Sequence, residues 1–117
     1  MGHTWVDIEI SDLEKKHSRK VSALVDTGAS LTTLPERIAN ELGIKPTSHE
    51  RISTGAGVIS ISRGEAWIKV NGKEGPFSIW ISDIIDKTLL GVIVLESLGF
   101  TVDPATGTLE DRPLLLY

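Results

Sequence analysis

The chain has 117 residues, enough for about one packed domain and too few for two. Its 12 Lys and Arg against 16 Asp and Glu leave a formal charge of -4, with 24% charged and 40% hydrophobic residues, which argues against a nucleic-acid partner and for an ordinary soluble globular protein. There is no cysteine, so disulfides and thiolate metal sites are excluded, and no apolar run approaches the roughly 18 residues of a membrane span.

Trp5 to Ile10 alternates apolar and polar side chains as a half-buried strand does, Ser11 to Lys16 breaks the alternation, and Lys20 to Val25 resumes it. This predicts a hairpin. The basic residues Lys15, Lys16, Arg19 and Lys20 form one cluster, diluted by Asp12 and Glu14, and read as a solvated turn that could steer an acidic partner only weakly. The second strand ends in Ala23-Leu24-Val25-Asp26-Thr27-Gly28-Ala29-Ser30, an apolar run stopped by an acid, a hydroxyl, a glycine and a second hydroxyl. A carboxylate at the exit of a buried segment sits where its proton affinity can be tuned, and Gly28 allows a sharp turn and close approach. An ordinary strand closing in an Asx or Ser/Thr turn reads the same triplet without chemistry.

Leu31 to Leu34 is again β-prone, and Pro35 opens a short helix in which Ile38, Ala39 and Leu42 share a face and which Gly43 ends. After the polar link that follows Ile44-Lys45-Pro46, Ile52 to Ser62 has two β-prone arms around Gly55-Ala56-Gly57, predicting a hairpin with a mobile tip. Gly64 to Val70 is a further strand, Asn71-Gly72 a tight turn, Phe77 to Ile81 a strand, and Asp83 to Lys87 an acidic loop. Leu89-Leu90-Gly91 repeats the theme of two aliphatics before a glycine and hints at a duplicated core. Val92 to Leu98 suits a short helix closed by Gly99, and Phe100 to Asp103 a strand followed by a turn at Pro104 to Gly107. His3, His17 and His49 have no ligand spacing and read as solvated loop residues, so no metal site is expected. Short strands at close spacing, two short helices and no βαβ alternation predict a mostly β fold, a small barrel, with one domain over residues 1–117. Without a charged-then-apolar leader pattern, a cytoplasmic location is expected.

The order of these pieces resembles the retropepsin-like aspartic proteases, in particular the small single-domain bacterial and archaeal members. Leu24 to Ser30 is similar to the family's catalytic motif, Ile52 to Ser62 to its flap, and Leu89-Leu90-Gly91 with its helix and Phe100 to Asp103 to its second apolar-apolar-Gly element. The resemblance covers roughly residues 4–109. It implies a closed acid-protease barrel, no cofactor, and an active site formed between two copies of the chain. Such hydrolysis needs two carboxylates, one activating water and one donating to the peptide carbonyl, and this chain has one Asp-Thr-Gly. A two-fold homodimer brings Asp26 of each copy together. In aspartic proteases generally, two carboxylates about 3 Å apart hold one proton between them, so an acid and a base coexist.

By the same resemblance Asp26, Thr27 and Gly28 are the catalytic turn, with Thr27 bracing it across the dimer. Ala29 and Ser30, with Thr54, Gly55, Ala56 and Gly57 at the flap tip, contact an extended peptide or unfolded protein, whose backbone pairs with the flap as an added strand. The function implied is aspartic endopeptidase. A catalytically weak peptide-binding or assembly module with the same barrel and flap is the second reading, and a purely structural barrel the third. The chain departs from the family in two places: the flap tip has no aromatic residue, and the helix after Gly91 begins with the apolar Val92-Ile93-Val94. Leu114 to Tyr117 is either a strand of an intermolecular sheet, the favoured reading, or a core strand of the monomer.

Overall fold

A computed structural model describes residues 3–113. The first two strands, β1 (Trp5–Ser11) and β2 (Ser18–Val25), form the expected antiparallel hairpin, with Trp5 opposite Leu24 and Ser11 opposite Ser18. Their alternation sends Ile8, Ile10, Val21 and Ala23 into the core. The four basic residues are exposed, as expected, but Arg19 and Lys20 lie on β2 rather than in the turn, and carboxylates answer three of the four. The Lys15 ammonium lies 3.0 Å from Glu74 and 4.0 Å from the centre of the Trp67 ring. Lys16 pairs with Glu14, and Arg19 with Glu41.

A short strand, β3 (Thr32–Pro35), runs into helix α1 (Glu36–Glu41). Pro35 takes the capping position with extended backbone, and Glu36 places negative charge in the first turn. Ile38, Ala39 and Leu42 are buried together. Gly43, at φ 70, ends the helix by donating its N–H to Asn40, while Ile44 donates to Ala39. This paired closure uses the backbone region glycine enters without strain.

The hairpin that follows is longer than its sequence suggests. Strand β4 (Ser48–Thr54) begins inside the stretch expected to be a polar link, and His49 lies on this strand rather than in a loop. Its partner β5 (Gly57–Val70) is one continuous strand of 14 residues, where two separate strands were expected. Gly64 does not break it because the space beside its Cα is already filled: an added Cβ would lie 3.2 Å from Ile81 Cδ1 and 3.4 Å from Ile44 Cγ2. Beyond Gly64, Ala66, Ile68 and Val70 point inward. Asn71 and Gly72, at φ 47 and 83, form the predicted tight turn into β6 (Lys73–Ser82).

Strand β7 (Thr88–Leu90) precedes helix α2 (Val92–Leu98), which Gly99 closes at φ 78. Strand β8 (Phe100–Asp103) pairs with β9 (Thr108–Asp111), a strand not anticipated from the sequence. Leu114 to Tyr117 lie outside the described residues.

The sheet runs β1-β2-β7-β3-β6-β5 and returns to β1, where Ile8 pairs with Val70 and Ser11 with Trp67. The mostly β, closed six-stranded barrel with two short helices is therefore present. β4 stands outside the ring, paired with β5 alone among the described strands. The two apolar-apolar elements lie side by side, Leu24 beside Leu89 and Val25 beside Leu90, in parallel. No helix among the described residues is long and apolar enough to cross a membrane.

Candidate active site

The end of β2 delivers Asp26 into a turn whose backbone is held from several sides. Asp26 donates its N–H to the Leu90 carbonyl at 3.0 Å, and its own carbonyl accepts from Ala29 at 3.1 Å. The Gly28 N–H donates to Asp26 Oδ1 at 3.0 Å, so one carboxylate oxygen is oriented by the turn itself. The loop then docks on α2: Val92 N–H donates to Ala29 at 2.9 Å and Ile93 N–H to Ser30 at 3.2 Å. Helix N-termini leave such donors without intrahelical partners. The apolar start of α2 therefore braces the loop through its backbone, with no polar side chain required.

Beneath the loop, Gly91 abuts the Leu31–Thr32 backbone, and its N–H donates to the buried Thr32 Oγ1 at 3.0 Å. The result is a rigid mount for a half-buried carboxylate.

That carboxylate faces a groove of about 590 Å³ roofed by the β4–β5 hairpin. Asp26, Gly28, Ala29 and Ser30 form one wall; Ile52, Ser53, Thr54, Gly55, Ile59 and Ile61 form the roof. Trp80, Ile85 and Leu89 extend an apolar floor, with the hydroxyls of Thr33 and Ser82 beside it. Asp26 is the one ionisable side chain in this lining among the described residues. An extended chain carrying apolar side chains fits such a surface, with hydrogen bonding left to the backbone and a few hydroxyls. Among the described residues, no cluster of three His, Cys, Asp or Glu could hold a metal ion.

Of the residues singled out in the sequence, the fold brings Asp26, Gly28, Ala29, Ser30, Thr54 and Gly55 to this groove. Thr27, Ala56 and Gly57 are exposed and not part of its lining. The hairpin tip is closed on itself: Thr54 Oγ1 donates to the Gly57 carbonyl at 2.8 Å and accepts from the Ala56 N–H at 3.1 Å. Missed in the sequence were the apolar positions Ile52, Ile59, Ile61, Trp80, Ile85 and Leu89. A signal existed for Trp80. Ile79 and Ile81 point into the core, so the tryptophan between them belongs to the opposite face, where a large aromatic needs a cover or a ligand.

A sequence model of the family described as aspartyl protease matches residues 6–102. The chain belongs to the aspartyl protease family. Among solved structures, this family member is similar to the EIAV protease complexed with the inhibitor HBY-793, with a TM-score of 0.68 and 21% identity over 87% of this chain and 93% of that one. It is also similar to a retropepsin-like aspartic protease from Rickettsia conorii, with a TM-score of 0.63 and 26% identity over 87% and 77% of the two chains. A third likeness is to the retroviral protease-like domain of Ddi1 from Leishmania major, at a TM-score of 0.61 and 19% identity over 92% and 88%. Among curated proteins no sequence match is found. The structural likenesses below 25% identity establish the retropepsin-like fold, and the family match carries the assignment to the aspartyl proteases.

Proposed function

We propose that this family member is an aspartic endopeptidase whose active site is completed by a second copy of the chain, with residues 1–117 acting as one retropepsin-like domain. The observation that carries this reading is the Asp26 carboxylate, fixed by Gly28 at the wall of an apolar groove beneath a β-hairpin. One carboxylate in the groove is half of what peptide hydrolysis by acid and base requires. The surface beside the turn supports the pairing. Thr27 is exposed, Trp5 is 51% exposed where β1 meets the end of β2, and Ile93 is 43% exposed where α2 holds Ser30. Two exposed apolar side chains on the elements beside the turn are surface that a two-fold pairing would bury.

In the dimer, one Asp26 is the anion that takes a proton from water and the other the neutral acid that gives one to the peptide carbonyl oxygen. Thr27 braces the two turns across the axis, Gly28 leaves room for substrate backbone, and Ala29 and Ser30 line its path. Thr54, Gly55, Ala56 and Gly57 bring the hairpin tip onto the extended peptide, which adds to it as a strand.

The test is cleavage of an unfolded protein at about pH 5. Activity should be blocked by pepstatin-like inhibitors and should fall about a thousandfold in Asp26→Asn. A folded Asp26→Asn variant that cleaves as the wild type does would end this reading. Peptide bound tightly but recovered intact after long incubation with concentrated wild-type protein would replace it with the peptide-binding module.

A further inference from the structure

The roof of the groove is attached to the barrel by few bonds. Among the described strands β4 pairs with β5 alone, so it is an edge strand whose bonds to β5 can open without disturbing the barrel. The bonds His49 Nδ1 to Ser62 Oγ, at 3.1 Å, and Thr54 to Gly57 lie within the hairpin and do not fix its position. A different contact leaves it. The indole N–H of Trp80, on β6, donates to Glu50 Oε1, on β4. Among the described residues this is the one side-chain hydrogen bond from β4 to a strand other than β5.

The same carboxylate oxygen lies 3.3 Å from Arg63 Nε, on β5. That nitrogen is buried and has no hydrogen-bond partner among the described residues, so the guanidinium attracts Glu50 by charge while the indole supplies the directed bond. The pairing explains the meeting of these groups. Arg63 is opposite Trp80 in the β5–β6 ladder, Glu50 is opposite Ile61 in the β4–β5 ladder, and side chains two apart on a strand share a face. Glu50, Arg63 and Trp80 therefore project on the face that also carries Ile52, Ile59 and Ile61 toward the groove.

We propose that Glu50 is a positioning residue that latches the flap to the groove floor through Trp80, with Arg63 holding its charge. Trp80 lines the groove and Glu50 does not, so the indole is the element that substrate touches and the carboxylate is what ties that element to the roof. A substrate side chain packed on the Trp80 ring acts on the hinge of the flap through this bond. The geometry makes β6, not only the flap tip, a determinant of how the roof closes. The latch rests on the endopeptidase reading only in the kinetic part of its test.

The test uses Glu50→Leu, which removes charge and acceptor at similar volume; Glu50→Gln, whose amide oxygen still accepts from the indole; and Trp80→Phe, which keeps an aromatic ring without the donor. Hydrogen exchange of backbone amides in residues 50–60 of the free protein should quicken about tenfold in Glu50→Leu and Trp80→Phe, the size expected for losing one charge-assisted hydrogen bond, and less in Glu50→Gln. Exchange in the β1–β2 hairpin should not change. The double variant Glu50→Leu with Trp80→Phe should exchange no faster than either single one, because both remove the same bond. On a peptide substrate, KM should rise about three- to tenfold in Glu50→Leu with kcat nearly unchanged, the signature of lost binding rather than lost chemistry. Exchange at the hairpin equal to wild type in both single variants would overturn the latch, as would effects that add in the double variant. Because exchange needs no turnover, a protein without peptidase activity but with the predicted exchange pattern would retain the latch and refute the endopeptidase reading alone.

Discussion

Gly91 is pressed against the backbone of Leu31: a Cβ built on the glycine would lie 2.5 Å from the Leu31 carbonyl carbon and 2.7 Å from its oxygen. The glycine has an ordinary φ of -84, so what the position demands is space, not an unusual backbone. Through this contact β7 approaches the loop that leaves Asp26, and the Asp26 N–H reaches the Leu90 carbonyl. Gly91→Ala should therefore cost about 3 kcal/mol, the upper part of the range for overpacking, because backbone atoms cannot yield as a side-chain end can. A urea midpoint equal to that of the wild type would contradict this close packing.

Thr32 tests the polar half of the same junction. It is fully buried, and its Oγ1 accepts the Gly91 N–H at 3.0 Å. Thr32→Val keeps the shape and leaves that N–H buried without a partner, at a cost of about 1–3 kcal/mol. Thr32→Ser keeps the acceptor and should cost less than Thr32→Val. Comparing the two in urea melts separates the hydrogen bond from the methyl group, and the reverse order of stability would rule out the role assigned to the hydroxyl.

Ile93 tests the pairing of two chains. Ile93→Glu replaces an apolar side chain 43% exposed beside the Asp26 turn, so it should leave the monomer fold intact. A two-fold axis would bring the new carboxylate near its own copy, and like charges brought together across an interface cost several kcal/mol. Sedimentation should show the wild type as a dimer at high micromolar concentration and the variant as a monomer. Specific activity should fall on dilution of the wild type, since each copy holds one carboxylate. A wild type that is monomeric and fully active would contradict the two-chain site.

Glu74 gives a pH test independent of the active site. Its carboxyl is held below its ordinary value of 4.5 by the hydrogen bond from the Trp67 indole and then by Lys15, with Lys69 adding a weaker attraction. A carboxylate whose proton affinity is lowered by folding contributes stability above its unfolded pKa and loses it as pH falls through the lower folded value. The contribution should therefore persist at neutral pH and be lost as pH falls below 4.5 and through the lower folded value. Glu74→Gln should lower the melting temperature at pH 7, by a modest amount because the cluster is exposed, and the gap from wild type should close below the folded pKa. A gap that widened as pH fell would reverse the sign.

Much of the site was legible locally. Asp26-Thr27-Gly28, the hairpin arms about Gly55 to Gly57, the Asn71-Gly72 turn and the closures at Gly43 and Gly99 each depend on residues within a few positions, so the chain states them directly. β9 and the first half of β4 were not legible, because their side chains are mostly exposed or half-buried and leave no clear apolar period. The continuity of β5 through Gly64 was hidden for another reason. A glycine reads as a break until Ile81 and Ile44 are seen to occupy the space a side chain would need.

The linear order of residues therefore suffices for the Asp-Thr-Gly turn and for the family, since an apolar strand running into that triplet is a local pattern. It does not suffice for the groove. Ile52, Ile61 and Trp80 lie on three strands and meet only through the β4–β5–β6 register, and Glu50 reaches Trp80 across 30 positions of chain. Each strand's alternation says which side chains share a face, but which faces come together depends on barrel closure, a property of pairing between distant strands that no single segment contains.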